Sequence, residues 1–410
     1  MQERSCISVH VWCKDIQDTW CSVELARNER KVFMQKRVLY YSEGWGFGGI
    51  ETFVMNTVRC LNSQVFGFDI FCTHDWNESH DTEIAKLGGC RYVVFKGHKP
   101  GLRTRFKAST KKWRSLLREH HYDIVHINTM NGMGFAYAHI AEQEGVPVRI
   151  VHSHNTAFGS GLKLVKQIAH TAGKTVWGKS ATTCLACSSE AGEYLFGKGD
   201  FQVVRNGVDI DMLRFNHEVR EAYRAELGIE NDTVLFGAPG RLSEAKNPLF
   251  QVGILKHLLD GGVRAKLLLV GEGPLKERIE VYASQLGIDN ALIIRSATDN
   301  VAPYYWALDV FTMPSTFEGA PTTPIEAAVA GLPFICSDNV PSFGAHISGE
   351  YRLGLNDANE WAEKVVDIAC LDSDFANRRQ SADKFAKLGF SYKATAKMVE
   401  GIYKDSLRLC

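Results

Sequence analysis

The chain has 410 residues, and 47 Lys and Arg balance 47 Asp and Glu. At roughly 100–200 residues per domain, that length makes two or three domains. The zero net charge argues against a uniformly basic nucleic-acid binder and against an acidic disordered chain, and 45% hydrophobic with 23% charged residues is ordinary globular composition.

Residues 1–33 carry three of the eleven cysteines and two tryptophans with no clear period. They lack the continuous apolar stretch and small-residue cleavage site of a signal peptide. Either Met34 is the natural start, or 1–33 is a poorly ordered extension. No run of 18 apolar residues occurs. The irregularly spaced cysteines are expected to be free thiols in a reducing cytoplasm. Cys184-Leu-Ala-Cys187 fits C-x-x-C, but no second pair follows at zinc-finger spacing, so buried strand cysteines are expected there.

From Val38 onward, short apolar runs alternate with helical patterns. Strands are expected at Val38–Ser42, Phe68–Thr73, Tyr92–Phe95, Ile124–Ile127, Val148–His152, Thr183–Cys187 and Gln202–Val204. A second series follows at Thr233–Ala238, Lys266–Val270, Leu292–Ile294, Val310–Met313 and Phe334–Cys336. Such alternation builds parallel sheets covered on both faces. Two doubly wound α/β domains facing across a cleft are the expected fold, with a first domain over 34–215 and a second domain over 216–390. Ligands bind such sheets at the carboxyl ends of their strands.

Gly44-Trp-Gly46-Phe-Gly48-Gly49 follows the first strand and precedes a helical pattern. Gly44, Gly46 and Gly49 spell G-x-G-x-x-G, and a dinucleotide site would add an acid about 20 residues on, for which Asp69 and Asp75 are candidates. A loop facing a phosphate or a sugar is the favoured reading, because glycine lets the backbone approach an anion at a helix N-terminus. His152 and His154 stand where an apolar strand ends, and either could orient a hydroxyl near neutral pH.

Four segments converge on one edge of the second domain: Asn206-Gly207-Val-Asp209, Gly240-Arg241 with Lys246-Asn247-Pro248, Gly271-Glu-Gly273-Pro274, and Phe317-Glu318-Gly319-Ala-Pro-Thr322-Thr323-Pro-Ile-Glu326. Arg241 and Lys246 could clamp a diphosphate, the one as a fork and the other as a point charge. Gly319 to Pro324 reads as a loop opening a helix at about Thr323, with free backbone N–H groups for an anion. Glu318 and Glu326 could accept hydrogen bonds from sugar hydroxyls.

The set Gly-Gly-x-Glu, Asn-Gly-Val-Asp, Gly-Arg-Leu-x5-Asn, Val-Gly-x-Gly-Pro and Glu-x7-Glu resembles the retaining glycosyltransferase family 4, from about Lys36 to the C-terminus. Gly-Gly-Ile-Glu-Thr-Phe-Val-Met-Asn and His-Ser-His-Asn further resemble its bacterial capsular and exopolysaccharide branch. The resemblance implies the GT-B fold of two Rossmann-like domains and a C-terminal helix, residues 391–410, crossing back to the first. It implies a nucleotide-sugar donor, with a UDP-sugar favoured over a GDP-sugar, and a glycan or lipid-linked glycan acceptor. Arg241 and Lys246 would bind the donor diphosphate, Glu326 the ribose, and Glu318 would lie by the transferred sugar. Gly48 and Gly49 would approach the diphosphate, and Asn206, Gly207, Gly319, Thr322 and Thr323 complete the expected donor site. His154 would sit near the reacting sugar, with His152 as the competing assignment. Phe-Glu-Gly-Ala-Pro-Thr-Thr-Pro stands where many members have Phe-Gly-Leu-Pro, which leaves the sugar open.

Asp209-Ile-Asp211 spells the D-x-D that binds metal in another glycosyltransferase fold. Within this turn no metal and no cofactor are expected, since cations and helix N-termini can neutralise a diphosphate. A sugar-nucleotide epimerase of the same fold and a non-catalytic nucleotide-sugar-binding subunit are the alternatives. Finally, Lys96–Arg118 holds nine basic residues and no acid, with Phe106, Trp113, Leu116 and Leu117 interleaved. No nucleic-acid motif accompanies them. An anionic membrane surface is the expected partner, placing a cytoplasmic protein on the inner face of the membrane.

Overall fold

Alternate residues of the first strand, β1 (Lys36–Trp45), face opposite ways into two apolar cores. Val38 and Tyr40 enter one, and Leu39 and Tyr41 the other. A strand buried on both sides belongs in a parallel sheet covered by helices. The protein has two such sheets in a computed structural model that describes residues 35–408 apart from 47, 77–79, 158–162, 299, 320, 342–348 and 372–374. The expected start at Met34 and the 1–33 extension lie outside the described residues.

The first sheet continues with β2 (Phe66–Asp75), β3 (Arg91–Phe95), β4 (Ile124–Thr129), β5 (Val148–Ser153), β6 (Thr183–Ala186) and β7 (Gln202–Val203). Its order is β3-β2-β1-β4-β5-β6-β7. The second comprises β8 (Val234–Pro239), β9 (Ala265–Val270), β10 (Leu292–Arg295), β11 (Val310–Met313), β12 (Phe334–Ser337) and β13 (Glu350–Leu353), in the order β10-β9-β8-β11-β12-β13. Every pairing is parallel. The order reverses between β1 and β4 and again between β8 and β11, and such switch points open a crevice at the carboxyl edge. The doubly wound expectation holds for both sheets. Only β13 has no counterpart in the sequence pattern: it is a half-buried edge strand, Glu-Tyr-Arg-Leu, with no apolar run to signal it.

The charged stretch after Phe215 forms the helix His217–Glu226, and its charges explain its position. Arg220 and Arg224 are buried and converge on Asp309 before β11, and Asp309 also accepts from the Leu235 backbone N–H at 2.8 Å.

The chain then returns. Val208 N donates to the Phe390 carbonyl (2.8 Å) and Tyr392 N to the Val208 carbonyl (3.0 Å). The helix Tyr392–Arg408 that starts there packs on the helix Gly49–Cys60 and places Val399, Ile402 and Tyr403 in the first domain's core.

The basic segment forms the helix Leu102–Glu119, and here the structure corrects an expectation. Trp113, Leu116 and Leu117 are not apolar points offered to a lipid surface. They are buried against Tyr41, Phe71 and Tyr137, and Trp113 Nε1 donates to the Tyr137 carbonyl at 3.1 Å. A helical period turns these side chains inward and the lysines outward. Arg114 and Arg118 pair with Glu144, and Arg105 with Glu43 (2.8 Å), so Lys107, Lys111 and Lys112 form the exposed basic face.

Candidate active site at the facing sheet edges

The loops after β8 and β11 flank the second switch point and are stitched together. Thr316 N donates to the Ala245 carbonyl at 2.8 Å. Asn247 adopts a left-handed conformation (φ 53°) and hands the chain to Pro248 at the first turn of the helix Pro248–Asp260. This turn throws Lys246 toward the neighbouring loop, where its Nζ lies 2.8 Å from Glu318 Oε1. Arg241 is exposed beside it, and a narrow cleft bounded by Gly240, Arg241, Lys246, Ser315 and Thr323 runs between the loops. Gly271 closes the back: at φ 153° its missing side chain leaves room for the Gly240 carbonyl, which a Cβ would meet at 2.1 Å.

Thr323 opens the helix Thr323–Val329, preceded by Thr322. Glu326, one turn in, accepts a hydrogen bond from the buried Tyr305 hydroxyl at 2.7 Å. Burial raises its pKa, while Tyr305, Thr322 and Lys246 oppose the rise.

The first domain meets this cluster directly. Thr156 Oγ1 donates to the Glu318 carbonyl at 3.0 Å. Gly319 lies on the backbone of His154 and Asn155, where a Cβ would come within 2.6 Å of the His154 carbonyl oxygen. The expected site residues Glu318, Gly319 and Lys246 are therefore grouped with His154.

His152 and His154 are not a surface pair. They belong to a buried polar ladder on the face of the first sheet covered by the helix Gly49–Cys60. His126 Nε2 is 3.1 Å from His152 Nδ1, and His154 Nε2 is 2.9 Å from Asn128 Oδ1. The His152 and His154 ring centroids are 4.1 Å apart, and Phe53 lies against His126, His152 and His154. Burial pushes the pKa of His126 and of His154 down to about 3 and holds that of His152 well below its ordinary value, so all three are neutral at pH 7.

Gly44 is part of β1, paired with His74 across the sheet, so the literal dinucleotide spacing begins inside a strand rather than in a turn. Neither candidate acid is free for a ribose. Asp69 takes Arg37, the Tyr122 hydroxyl (2.8 Å) and Cys90 N (2.9 Å), and Asp75 takes Arg91 (3.0 Å) and Gly97 N (2.8 Å). Gly48 and Gly49 start the helix, and a Cβ on Gly48 would lie 2.5 Å from a Glu51 carboxylate oxygen. Burial raises the Glu51 pKa to about 7, against its own backbone N–H and Arg241 from the other domain.

Asn206 is buried beside Gly207, and Gly207 has a packing role, since a Cβ would come within 2.5 Å of Tyr392 Cα at the returning helix. Asp209 caps the helix Ile210–Leu213 through Met212 N (3.0 Å), and Asp211 pairs with Lys393 (2.9 Å). The D-x-D carboxylates thus serve the turn and its clasp. Among the described residues no group of three or more His, Cys, Asp or Glu could hold a metal. Cys184 and Cys187 are free, with thiol pKa values pushed by burial to about 11 and about 12.

Four site neighbours carried no sequence assignment: Glu51, named only inside a motif, and His126, Asn128 and Tyr403. The His126-Ile-Asn128 step is a polar period of two at the end of an apolar strand, the one local signal that could have marked them.

Residues 47–212 match the family model Glycosyltransferase Family 4, and residues 219–369 match Glycosyl transferases group 1. EpsF of Bacillus subtilis (strain 168), named as a glycosyltransferase, is 30% identical over 381 residues, which cover 91% of this chain and 97% of EpsF. The UDP-Gal:alpha-D-GlcNAc-diphosphoundecaprenol alpha-1,3-galactosyltransferase of Escherichia coli is 26% identical over 271 residues, 62% of this chain and 68% of that one. Anabaena Alr3699/HepE, solved in complex with UDP-glucose, superposes with a TM-score of 0.73 at 16% identity, covering 90% of this chain and 99% of that chain. The chain belongs to glycosyltransferase family 4 and has the GT-B fold of two Rossmann-like domains.

Proposed function

We propose that the protein transfers a sugar, with retention of anomeric configuration, from a nucleotide diphosphate sugar to a glycan or lipid-linked glycan in surface polysaccharide assembly. The observation that carries this is the Lys246–Glu318 pair, on a loop resting on the His154–Asn155 backbone. The pair offers a cation suited to a diphosphate beside a carboxylate suited to sugar hydroxyls, and the buried His154 imidazole belongs to the strand end on which this loop rests. UDP is the favoured base, supported by UDP-glucose in the HepE complex and by the UDP-Gal-dependent E. coli relative.

In this reading Arg241 and Lys246 take the charge that grows on the leaving diphosphate, and they do so most strongly in the transition state. Glu326, steadied by Tyr305, holds the ribose. Glu318 and His154 orient the transferred sugar, and the amides near Gly48 and Gly49 approach the diphosphate. The acceptor attacks from the face the diphosphate leaves, and the departing phosphate helps remove its proton. No carboxylate nucleophile and no metal enter. A panel of UDP- and GDP-sugars, scored by thermal shift and by donor hydrolysis, tests the assignment. Stabilisation and turnover with one donor support it, and no response to any donor overturns it.

The acceptor side extends the proposal to an anionic lipid surface. Lys107, Lys111 and Lys112 are exposed on the helix Leu102–Glu119. The helix Lys163–Trp177 leaves Leu164, Ile168 and Val176 exposed at 70%, 61% and 66%. Both helices pack on the helix Gly134–Gln143, so basic and apolar groups flank one helix of the first domain. Among the described residues no helix is long and apolar enough to cross a membrane. Peripheral docking by lysines and a few inserted apolar side chains suits this surface.

A further inference from the structure

The hydrogen bonds beneath the histidines carry a direction. Tyr403 comes from the returning helix, and its hydroxyl donates to Tyr40 Oη at 2.9 Å. With its proton used, the Tyr403 oxygen accepts from His126 Nδ1, 2.6 Å away. A neutral imidazole carries one N–H, so His126 Nε2 is bare and accepts from His152 Nδ1 at 3.1 Å. That leaves His152 Nε2 bare, and it has no hydrogen-bond partner among the described residues.

His154 is fixed from the other side. Asn128 Nδ2 donates to the Tyr41 carbonyl at 3.2 Å, which turns Oδ1 toward His154. His154 Nε2 therefore donates, and its Nδ1 is bare and likewise without a partner among the described residues. His152 is fully buried and His154 nearly so. Two unprotonated imidazole nitrogens are thus held behind the surface that meets Gly319. Isolated imidazoles interconvert freely between tautomers, and here the partners choose.

We infer that Tyr403 is a positioning residue for the histidines at the end of β5, holding His126 and His152 as Nδ1-protonated tautomers so that His152 keeps Nε2 bare in a ring packed beside His154. This rests on the proposed role of His154 beside the transferred sugar. If the two protons moved to the other nitrogens, the dipole of His152, whose ring centroid lies 4.1 Å from that of His154, would reverse, and Nε2 would carry an N–H instead of a lone pair. His154 would then stand beside the sugar in a different field. Because Tyr403 arrives on the returning helix, the device ties the proton arrangement of the first domain to docking of the helix Tyr392–Arg408.

The test uses the full chain labelled with 15N-histidine, in which bonded and bare ring nitrogens have distinct shifts. In the wild type, His126 and His152 are expected to carry their protons on Nδ1. Tyr40→Phe leaves the Tyr403 proton no acceptor except His126 Nδ1, and both histidines are expected to switch to Nε2–H. Tyr403→Phe keeps the ring packed on Phe66 and removes only the hydroxyl. It is expected to lower kcat about three- to tenfold, the worth of one hydrogen bond, with donor KM and Tm unchanged. In a His154→Gln background, Tyr403→Phe is expected to add nothing further. Imidazole shifts unchanged in both tyrosine variants overturn the inference, as does a kcat loss that persists undiminished without His154. If the wild type transfers no sugar, the function proposal fails alone, and the tautomer spectra still decide the relay.

Discussion

Lys246 Nζ and Glu318 Oε1 lie 2.8 Å apart although 72 residues separate them in the chain, and each is the other's partner across the second switch point. The pair holds a cation at the mouth of the cleft without burying it unpaired. Incoming diphosphate oxygens would share Lys246 with the carboxylate. Lys246→Ala is expected to lower kcat/KM by about 10²- to 10³-fold, the usual loss when a group stabilising transition-state charge is removed. Glu318→Gln should be milder on donor binding than on turnover. Steady-state kinetics with the responding donor check both, and a Lys246→Ala enzyme with wild-type kcat/KM refutes the clamp.

Gly319 leaves no space for a side chain. In Gly319→Ala the new Cβ would meet the His154 carbonyl oxygen at 2.6 Å and push the two domains apart at their contact. Overpacking of this kind costs about 1–3 kcal/mol. The loss of kcat is expected to exceed what the fall in Tm explains, since the strain acts on the loop that carries Glu318, against the His154 backbone. Parallel melting curves and kinetics separate the two effects.

Glu51 makes a pH prediction. Its folded pKa, about 7, lies above the ordinary value of 4.5, so the folded protein holds a proton that the unfolded chain releases. Between about pH 4.5 and 7 this group lowers stability as pH rises, and its effect levels off above pH 7. The carboxylate that forms there stands near Arg241 and competes with a diphosphate for it. UDP-sugar affinity should fall as pH rises from 6 to 8, and Glu51→Gln should flatten that dependence. Calorimetric titration at both pH values measures it.

The three ladder histidines act in the opposite sense. Their folded pKa values lie below the ordinary 6.5, so the unfolded chain binds protons that the folded one excludes. The stability they contribute is complete above about pH 6.5 and is lost as pH falls toward 3. Each can add up to about 1.4 kcal/mol per pH unit. Acid unfolding should therefore be steep, and His152→Phe, if it folds, should be less acid-sensitive than the wild type in equilibrium denaturation at pH 7 and pH 5.

Binding to anionic vesicles should be salt-sensitive and should weaken when Lys107, Lys111 and Lys112 become Glu. It should weaken at all salt concentrations when Leu164 and Ile168 become Ser. Co-sedimentation with vesicles of mixed anionic and neutral lipid measures both. Equal binding by all variants would remove this face from consideration.

How much of this the sequence discloses depends on whether a signal is local. The strand runs and the Lys246-Asn247-Pro248 turn are local, and among the described residues twelve of the thirteen strands stand where the apolar runs place them. Edge strand β13 escapes because half-burial leaves no run. The basic helix misleads in one respect. Trp113 and Leu116 look like lipid-facing side chains until the helix phase turns them under Tyr41 and Tyr137. The links between distant positions are not legible at all. Nothing near Tyr403 in sequence announces a hydrogen bond to His126, 277 residues earlier, and nothing near Glu51 announces Arg241.

The helix Tyr392–Arg408 also sets an order of events during synthesis. Val399, Ile402 and Tyr403 are core residues of the first domain, yet they are made only after the second domain. Domains generally fold as units, the N-terminal one first, as the ribosome extrudes them. Here the first sheet leaves the tunnel with one flank of its core uncovered, and it stays so until the second domain has been made. A premature stop before Tyr392 would therefore damage both halves of the molecule. The same gap offers a chaperone a defined apolar surface for as long as the second domain is being translated.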